Sequence, residues 1–378
     1  MKRLIEKYFG NIYHPIVYKF RTSVFFHKKE IKSLIEKTSL NETRRNRIYV
    51  DITDIHSTNI MTGIQRVSHN ISKQLSLIDS DFDIVTVYCR DFQGFFDSKT
   101  NQKITFIPKD IFFGLDKSIY YAYKYDRFFK FLMKNNIKVG FFVHDLIPVR
   151  LPKYCMPRFK KSFNQFIKQV VNYDFIICNS VSTANDLKQW LEENPALERN
   201  KNLKISYSLL GTDFKFSKSD KNSWFHKNNH ISFLMVSTVE PRKKYDQVIK
   251  AFDYLWAKNK EFGKKLFWYC NGISDEELIE QYEKCDAVIM ASIQEGFGLA
   301  VAEAAAFDKP LILREIPIFK EIAQENAFYF NTLEPAALAK KIEEWINLYN
   351  KNQNPSSKNI KFRTWNDCAK DIYKILVE

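Results

Sequence analysis

Short, almost uninterrupted apolar runs alternate with longer stretches of helical periodicity along most of this chain. Apolar runs of this length predict strands that are buried on both faces. Buried strands separated by helices are typical of parallel sheets covered by helices on both sides, so the sequence predicts an α/β fold. The predicted strands are Ile48–Ile52, Ile84–Tyr88, Val139–Val143, Phe175–Cys178, Ile231–Val236, Leu266–Tyr269, Ala287–Ala291, Leu311–Leu313 and Ala327–Phe330. The predicted helices include Gly63–Leu77, Met156–Val171, Val181–Glu193, Tyr245–Lys258, Asp275–Lys284 and Trp365–Leu376.

A polar stretch over 216–229, rich in Lys, Ser, Asn and Asp, divides this pattern into two halves and predicts a linker. The 378 residues are enough for two domains of ordinary size. We therefore expect one Rossmann-like domain over 48–215, a second over 230–350, and a tail with a closing helix over 351–378. Domains of this kind bind ligands outside the carboxyl ends of their strands, so we expect a ligand between the two.

Residues 1–47 are basic and aromatic, and their apolar residues recur near helical spacing. Two interpretations stay open for this segment. It is either a basic amphipathic helix on an anionic membrane surface or a pair of helices packed on its own domain. The net charge of +14 fits such a surface, phosphorylated small molecules, or simply a lysine-rich solvated exterior. No signature of a nucleic-acid-binding fold is present, so we expect no nucleic-acid partner.

The six cysteines are scattered without a Cys-x-x-Cys pair, which indicates free or buried thiols in a reducing cytosol. No apolar stretch approaches the roughly 20 residues that span a bilayer, and charges interrupt the apolar residues of the N-terminus. We expect a cytoplasmic protein, peripheral at the inner face of the plasma membrane if 1–47 binds there. Asp81-Phe82-Asp83 precedes its strand instead of following it, so we predict no metal site.

Two glutamates, Glu295 and Glu303, flank a Gly296-Phe297-Gly298 turn that follows a predicted strand and precedes a predicted helix. This order presents the helix N-terminus, with its positive dipole end, to an anion such as phosphate. Carboxylates repel phosphates, but they accept hydrogen bonds from hydroxyl groups. The pattern therefore predicts a ligand with a phosphate core and polyols at both ends, such as a nucleotide-sugar.

Polar residues also follow other predicted strands. His144 could hydrogen-bond a sugar hydroxyl, or it could be a structural histidine held by a neighbouring loop. Arg242 and Lys243 could neutralise a diphosphate and stabilise it as a leaving group. The alternative is a basic loop that begins a helix, although cations oppose the helix dipole at that end. Gly63 could let the backbone approach a ligand closely, or form an ordinary turn.

Several segments, in order, resemble the retaining GT-B glycosyltransferases of family 4, especially bacterial mannosyltransferase-like members of polysaccharide assembly. Glu295 and Glu303 match the family's E-x7-E motif within E-G-F-G-L-A-V-A-E-A. The resemblance implies GT-B architecture, in which two Rossmann-like domains have parallel sheets that face each other across a cleft. The other matching segments are Gly63–Val67 (G-I-Q-R-V), Val143–Pro148 (V-H-D-L-I-P), Ile176–Ser180 (I-I-C-N-S), Gly211–Asp213 (G-T-D) and Glu240–Lys243 (E-P-R-K).

The resemblance implies a role for each matched residue. Glu295 would contact the hydroxyls of the donor sugar, with His144 near the anomeric carbon, and Glu303 would contact the ribose. Arg242 and Lys243 would face the diphosphate. The expected catalytic residues are His144, Glu295, Arg242 and Lys243. The expected donor-binding residues are Gly63, Glu240, Gly296, Phe297, Gly298, Leu299 and Glu303.

Family members retain the anomeric configuration and work without a metal. The resemblance thus implies front-face displacement, no cofactor, an N-terminal acceptor domain and a C-terminal donor domain. We expect a hexose, with mannose from GDP-mannose preferred, to pass to a lipid-linked or oligosaccharide acceptor in a growing O-antigen, capsule or similar surface glycan.

Two alternatives stay open. One is the same fold with a UDP-sugar or a dTDP- or GDP-deoxysugar donor. The other is a non-catalytic scaffold subunit that binds a nucleotide-sugar. A shortened C-terminal domain motivates the scaffold, because the sequence after Leu266–Tyr269 lacks one β/α unit of the family pattern. Ser237-Thr238 also replaces the family's frequent Gly-Arg pair.

Overall fold

The computed structural model confirms the α/β class, because two sheets of mainly parallel strands are each packed against helices. The predicted linker over 216–229 and residues 1–30 lie outside the described residues. The domain boundaries that fall there stay predictions. The structure describes residues 31–38, 40, 43–57, 62–90, 93–116, 122, 124–212, 231–258, 266–269 and 272–378.

Seven strands form the first sheet. They are β1 (Arg47–Asp51), β2 (Asp83–Arg90), β3 (Gly94–Asp97), β4 (Ile111–Gly114), β5 (Lys138–Val143), β6 (Phe175–Cys178) and β7 (Lys204–Tyr207). Their order across the sheet is β3-β2-β1-β4-β5-β6-β7, and all neighbours are parallel except the antiparallel pair β2 and β3.

The sequence predicts β1, β2, β5 and β6, and the structure confirms them with small shifts at the ends. It does not predict β3, β4 or β7. Strand β7 is an edge strand whose two end residues, Lys204 and Tyr207, are exposed, so no continuous apolar run marks it.

Helices cover this first sheet. They are α1 (Thr53–Ser57), α2 (Gly63–Leu75), α3 (Asp126–Lys134), α4 (Ile147–Arg150), α5 (Pro157–Val170) and α6 (Val181–Glu193). Residues 31–36 are also helical, and Ile31 and Leu34 are buried in the same core as Phe95 and Phe112. This end of the N-terminal segment therefore packs on its own domain.

Four parallel strands form the second sheet, in the order β11-β10-β9-β8. They are β8 (Phe233–Leu234), β9 (Ala287–Met290), β10 (Leu311–Arg314) and β11 (Phe328–Phe330). The strand predicted over Leu266–Tyr269 is wrong. These four residues pair with no strand, and each is 45–74% exposed. Instead of joining the sheet, Trp268 packs edge-on against Tyr245, with 5.4 Å between the ring centroids.

The helices that follow β8 along the chain are α7 (Tyr245–Lys258), α8 (Asp275–Lys284), α9 (Leu299–Ala306), α10 (Pro317–Ala323), α11 (Pro335–Asn350) and α12 (Trp365–Val377). Ser274 and Thr364 begin α8 and α12 as the N-caps of capping boxes, which explains why the sequence predicts both starts. Helix α12 returns to the first domain, where Trp365 and Ile372 share a core with Val67 and Ile71 of α2.

Candidate functional site

The loops after the strands of the two sheets meet at the predicted glycine turn. His144 follows β5, and Asn179 and Ser180 follow β6. The hydroxyl groups of Ser180 and Thr183 both donate to the carbonyl oxygen of Gly296, at 2.9 and 3.1 Å. These two hydrogen bonds join the domains at the turn between Glu295 and α9.

Gly296 must be glycine because backbone from the first domain lies against its Cα. A Cβ built there would lie 2.2 Å from the carbonyl oxygen of His144. The side-chain amide of Asn179 donates to that same oxygen at 2.6 Å and would be 3.1 Å from the added carbon. Any side chain at Gly296 would therefore push the two domains apart.

Gly298 is the N-cap of α9 and adopts the left-handed conformation, with φ of 93°. Residues with a Cβ seldom adopt this conformation, so this glycine sets the sharp turn from loop to helix. The first backbone N–H groups of a helix have no partner within the helix. The N-terminus of α9 therefore lies at the interdomain turn, as the sequence predicts.

Glu295 is the centre of a buried ion cluster. Its side chain is only 8% exposed, its Oε1 accepts a hydrogen bond from Lys243 Nζ, and its Oε2 accepts one from Arg242 Nη1 at 3.2 Å. Arg242 also donates to Glu240 Oε2 at 2.7 Å and to the carbonyl oxygen of Gln294 at 2.9 Å. The structure thus brings together Glu240, Arg242, Lys243 and Glu295.

The cluster shifts the pKa values of its members. Burial raises the pKa of Glu295, but Lys243 and Arg242 together outweigh burial and hold it below its ordinary value. Burial lowers the pKa of Arg242, yet Glu295, Glu240 and Asp145 more than compensate and raise it. Burial also raises the pKa of Asp145, although Arg242 opposes this. Glu295 and Arg242 are therefore both charged at neutral pH.

Glu303 is 4% exposed, and each of its carboxylate oxygens accepts a hydrogen bond. Arg66 Nη1 donates to Oε1 at 3.1 Å, and the hydroxyl of Tyr282 donates to Oε2 at 2.8 Å. Burial raises the pKa of Glu303, while Arg66 and the Tyr282 hydrogen bond oppose the rise. Arg66 belongs to α2 of the first domain, so this ion pair also crosses between the domains.

The remaining predicted residues lie around these two clusters. His144 Nε2 is 3.3 Å from the carbonyl oxygen of Leu115. A Cβ on Gly63 would meet no atom of the described residues within 4 Å, so this part of the structure leaves space at the start of α2. Phe297 is 7% exposed within the hydrophobic core, and Leu299 is the first residue of α9. Their donor-binding roles stay predictions.

Glu321 is a contact residue that no sequence pattern predicts. Its carboxylate accepts hydrogen bonds from the backbone N–H groups of Val181 at 2.9 Å and Ser182 at 2.8 Å. It thereby caps the N-terminus of α6 from the other domain. No signal near Glu321 marks a cap for a helix that is 140 residues away along the chain.

A cavity of about 310 Å³ opens beside Glu295 between α6 and the second domain. Its polar wall includes Asp145, Asn185, Asp186, Gln189 and Glu295. Carboxylate and amide groups of this kind accept and donate hydrogen bonds, so the wall suits a ligand rich in hydroxyl groups.

Three general predictions concern the described part of the chain. Its five cysteines are free thiols, as the sequence predicts. No group of three or more His, Cys, Asp or Glu side chains in this part is arranged to hold a metal ion. None of its helices is long and apolar enough to cross a membrane.

Comparison with known sequences shows which proteins this chain is similar to. Residues 254–362 match the family model of glycosyl transferases group 1. The chain also resembles curated proteins over most of its length. It is 32% identical over 377 residues to the serotype-specific mannosyltransferase WbdA of Escherichia coli, a match that covers 87% of this chain and 46% of WbdA.

A second relative is the O-antigen chain mannosyltransferase RfbU of Salmonella typhimurium (strain LT2). The two chains are 29% identical over 204 residues, which cover 50% of this chain and 55% of RfbU. The chain therefore spans about half the length of the curated relatives that it matches.

Solved structures show the same fold. Sucrose-phosphate synthase from Thermosynechococcus elongatus aligns with a TM-score of 0.60 at 13% identity, covering 88% of this chain and 98% of that one. HepE from Anabaena, in complex with UDP and glucose, aligns with a TM-score of 0.58 at 14% identity, covering 88% and 99%. These likenesses confirm the predicted GT-B architecture, with two Rossmann-like domains on either side of a cleft.

Proposed function

We propose that this protein is a retaining, metal-independent glycosyltransferase that moves a hexose from a nucleotide-sugar to a growing surface glycan. The observation that carries the proposal is the buried cluster of Glu295, Arg242 and Lys243 between the domains. In this cluster a carboxylate that would accept hydrogen bonds from sugar hydroxyls lies directly beside two cations that would bind phosphate. The mannosyltransferase relatives favour mannose, and GDP-mannose is the donor that we propose.

Glu295 would orient the donor sugar. An ionised carboxylate has about four acceptor positions, and Lys243 and Arg242 use two of them here. Ser292 also acts on this carboxylate, and the remaining acceptor capacity would serve sugar hydroxyls. Because the two cations hold the pKa of Glu295 below its ordinary value, the carboxylate stays an acceptor at neutral pH.

Arg242 and Lys243 would stabilise the departing diphosphate. A diphosphate carries more negative charge than one carboxylate, so it would share both cations with Glu295, and the N-terminus of α9 would add its positive dipole end. Charge grows on the diphosphate oxygen as the glycosidic bond breaks. Stabilisation that strengthens at this point accelerates the reaction itself, typically by about 10²–10³ for one donor group.

The acceptor hydroxyl would attack the anomeric carbon from the face that the diphosphate leaves. Its proton would pass to the departing diphosphate oxygen, so the new bond keeps the configuration of the donor. Arg242 and Lys243 supply the positive charge, and the proposal needs no metal ion. His144, after β5, would hydrogen-bond the sugar beside the reacting carbon.

Thermal unfolding with a panel of GDP-, UDP-, dTDP-, ADP- and CMP-sugars tests the proposal. A ligand that binds only the folded protein stabilises it by about 2.7 kcal/mol at a hundredfold excess over its dissociation constant. We expect GDP-mannose to raise the unfolding temperature equally in EDTA and in magnesium. Stabilisation that appears only with magnesium would contradict the metal-free mechanism, and a different sugar as the hit would identify another donor.

Hydrolysis of the bound donor then separates an enzyme from a scaffold. The second sheet has four strands, and the Leu266–Tyr269 segment is exposed instead of joining it. For this reason we also consider a scaffold that binds the nucleotide-sugar without catalysing a reaction. We expect slow release of the α-anomer of mannose from GDP-mannose, followed by NMR, and loss of that release in Glu295→Gln. Binding without any release would favour the scaffold.

A further inference from the structure

Helix α6 of the first domain presents one face to the second domain. Ser182 and Asp186 are four residues apart in this helix, so their side chains lie on the same face. The backbone N–H and the hydroxyl of Ser182 both donate to Glu321. One turn further along, Asp186 Oδ2 accepts a hydrogen bond from Gln294 Nε2 at 3.3 Å. Gln294 directly precedes Glu295, so this second contact reaches the ion cluster.

Gln294 is held from both domains. Its side-chain amide donates to Asp186, and its carbonyl oxygen accepts a hydrogen bond from Arg242 Nη1 at 2.9 Å. The neighbouring backbone N–H of Ile293 donates to the carbonyl oxygen of Arg242 at 3.0 Å. Asp186 and Arg242 therefore restrain the backbone that carries Glu295.

Arg150 fixes the carboxylate of Asp186. Its Nε donates to Asp186 Oδ1 at 2.5 Å, its Nη2 donates to the Asp186 carbonyl oxygen at 3.0 Å, and its Nη1 donates to Glu193. A planar guanidinium with three nitrogens engaged has little freedom to turn. Burial raises the pKa of Asp186, and Arg150 opposes the rise by favouring the ionised carboxylate. Arg150 thus sets both the orientation and the charge of the group that holds Gln294.

The two restraints on Gln294 differ in what a donor would do to them. Arg242 also donates to Glu240 and Glu295, and in the proposed function a diphosphate would compete for it. Asp186 is a carboxylate, which repels phosphate. The Asp186–Gln294 contact would therefore remain when the diphosphate draws on Arg242.

We propose that Asp186, fixed by Arg150, is a positioning residue for Glu295. It acts through Gln294, whose side chain carries the restraint from the first domain to the loop of the second. The inference rests on the proposed function, in which Glu295 orients the donor sugar. Without Asp186 the two cations would still bind the diphosphate, but Glu295 would shift. Small shifts of a positioned group slow the chemical step more than they weaken binding.

Hydrolysis of GDP-mannose by the whole chain tests the proposal. Asp186→Ala and Gln294→Ala should each lower kcat by about tenfold, while the donor dissociation constant from calorimetry changes by less than about twofold. The double variant should be no slower than the slower single variant, because both substitutions remove the same contact. Losses that multiply in the double variant would show that the two residues act independently and would overturn the proposal.

Exchanging the two groups across the contact provides a rescue. Gln294→Glu places two carboxylates against each other and should lower kcat. Adding Asp186→Asn supplies an amide that can donate to the new carboxylate, while the oxygen of that amide can still accept from Arg150. The exchanged pair should recover kcat at least about fivefold over Gln294→Glu. No recovery would show that this contact does not position Glu295.

Glu193→Ala is the matched control. It removes the other carboxylate that Arg150 contacts and leaves the Asp186–Gln294 contact intact. We expect kcat to stay within about twofold of wild type, as for most substitutions of partly exposed residues. A loss as large as that of Asp186→Ala would mean that any disturbance of Arg150 or α6 slows the reaction, and would overturn the specific role of Asp186.

Hydrogen exchange separates this inference from the proposed function. Without any ligand, amide exchange over 292–297, followed by mass spectrometry, should be at least about fivefold faster in Asp186→Ala and Gln294→Ala than in wild type or Glu193→Ala. Unchanged exchange would overturn the inference even if the wild type hydrolyses its donor. Faster exchange in a protein that hydrolyses no donor would support the positioning contact and reject only the proposed function.

Discussion

Arg66 and Glu303 form an ion pair between the two domains, with 3.1 Å from Arg66 Nη1 to Glu303 Oε1. Tyr282 donates to the other carboxylate oxygen, and Glu303 is 4% exposed. A carboxylate buried this deeply is costly unless a cation compensates for lost hydration. Contact between the domains therefore helps to keep Glu303 ionised, and a ribose that binds Glu303 would do so with Arg66 alongside.

The raised pKa of Glu303 predicts a pH-dependent contribution to stability. The folded protein holds this proton more tightly than the unfolded chain, where the ordinary value is 4.5. The contribution is therefore fully present below pH 4.5 and is lost as the pH rises through the folded pKa. Glu303→Gln is neutral throughout. The unfolding free energy of wild type minus that of the variant, from urea titrations, should fall between pH 4.5 and neutral pH.

The charged and titratable groups around Glu303 must be the same in wild type and in Glu303→Gln for this comparison. Arg66 from α2, and Tyr282 and Asp275 from α8, are the charged or titratable groups that act on Glu303. All three remain in Glu303→Gln, so the difference isolates the one carboxyl. A difference that does not vary with pH would show that Glu303 titrates normally.

Gly296→Ala should interfere with contact between the domains. Its new Cβ would lie 2.2 Å from the His144 carbonyl oxygen, a distance that requires backbone to move. We expect kcat/KM for donor hydrolysis to fall by about tenfold or more, since small misplacements of catalytic groups are costly. Far-UV circular dichroism should stay unchanged because both sheets remain intact. Unchanged kinetics would show that this close approach is dispensable.

Gly63→Ala tests the predicted role of Gly63, which is to let the backbone approach a ligand closely. Within the part of the chain that the structure describes, no atom lies within 4 Å of the added Cβ, and Gly63 is the first residue of α2. Replacing glycine by alanine at an unstrained position stabilises a protein by about 0.4–1 kcal/mol. We expect unchanged or higher stability together with a higher KM for donor or acceptor. An unchanged KM would mean that no ligand approaches this backbone closely.

Local signals account for the elements that the sequence predicts correctly. Strands β5 and β6 are apolar runs buried on both sides, and Ser180 is a polar N-cap directly before α6. The same rule fails at Leu266–Tyr269, because an apolar run becomes a strand only where a neighbouring strand can pair with it. Whether a neighbour exists depends on the whole domain.

The candidate site also contains both residues that the sequence predicts and residues that it does not. Glu295, Arg242 and Lys243 are predicted because each follows a strand, and strands of a parallel sheet place their ends along one edge. Arg66 and Glu321 are missed because they act across the interface, 237 and 140 residues from their partners. Only the packing of one domain on the other, which no local pattern encodes, brings such residues together.

Lys243→Met should reduce both stability and turnover, and a double variant can separate the two effects. Lys243 and Glu295 are 9% and 8% exposed in their side chains, and loss of a hydrogen bond to such a charged group costs about 1.5–3 kcal/mol. Adding Glu295→Gln removes the charge of the buried carboxylate that has lost one of its two cationic partners. Urea unfolding of the double variant should recover much of this loss, because breaking a buried pair costs more than replacing both partners.

Turnover should not recover with stability. If Lys243 stabilises charge on the leaving diphosphate, kcat for donor hydrolysis should fall by about 10²–10³ in Lys243→Met, while the donor dissociation constant from calorimetry rises far less. Adding Glu295→Gln should lower kcat further, because Glu295 is proposed to orient the same sugar. Parallel recovery of stability and kcat would instead make Lys243 a purely structural partner of Glu295, and the diphosphate role would pass to Arg242 alone.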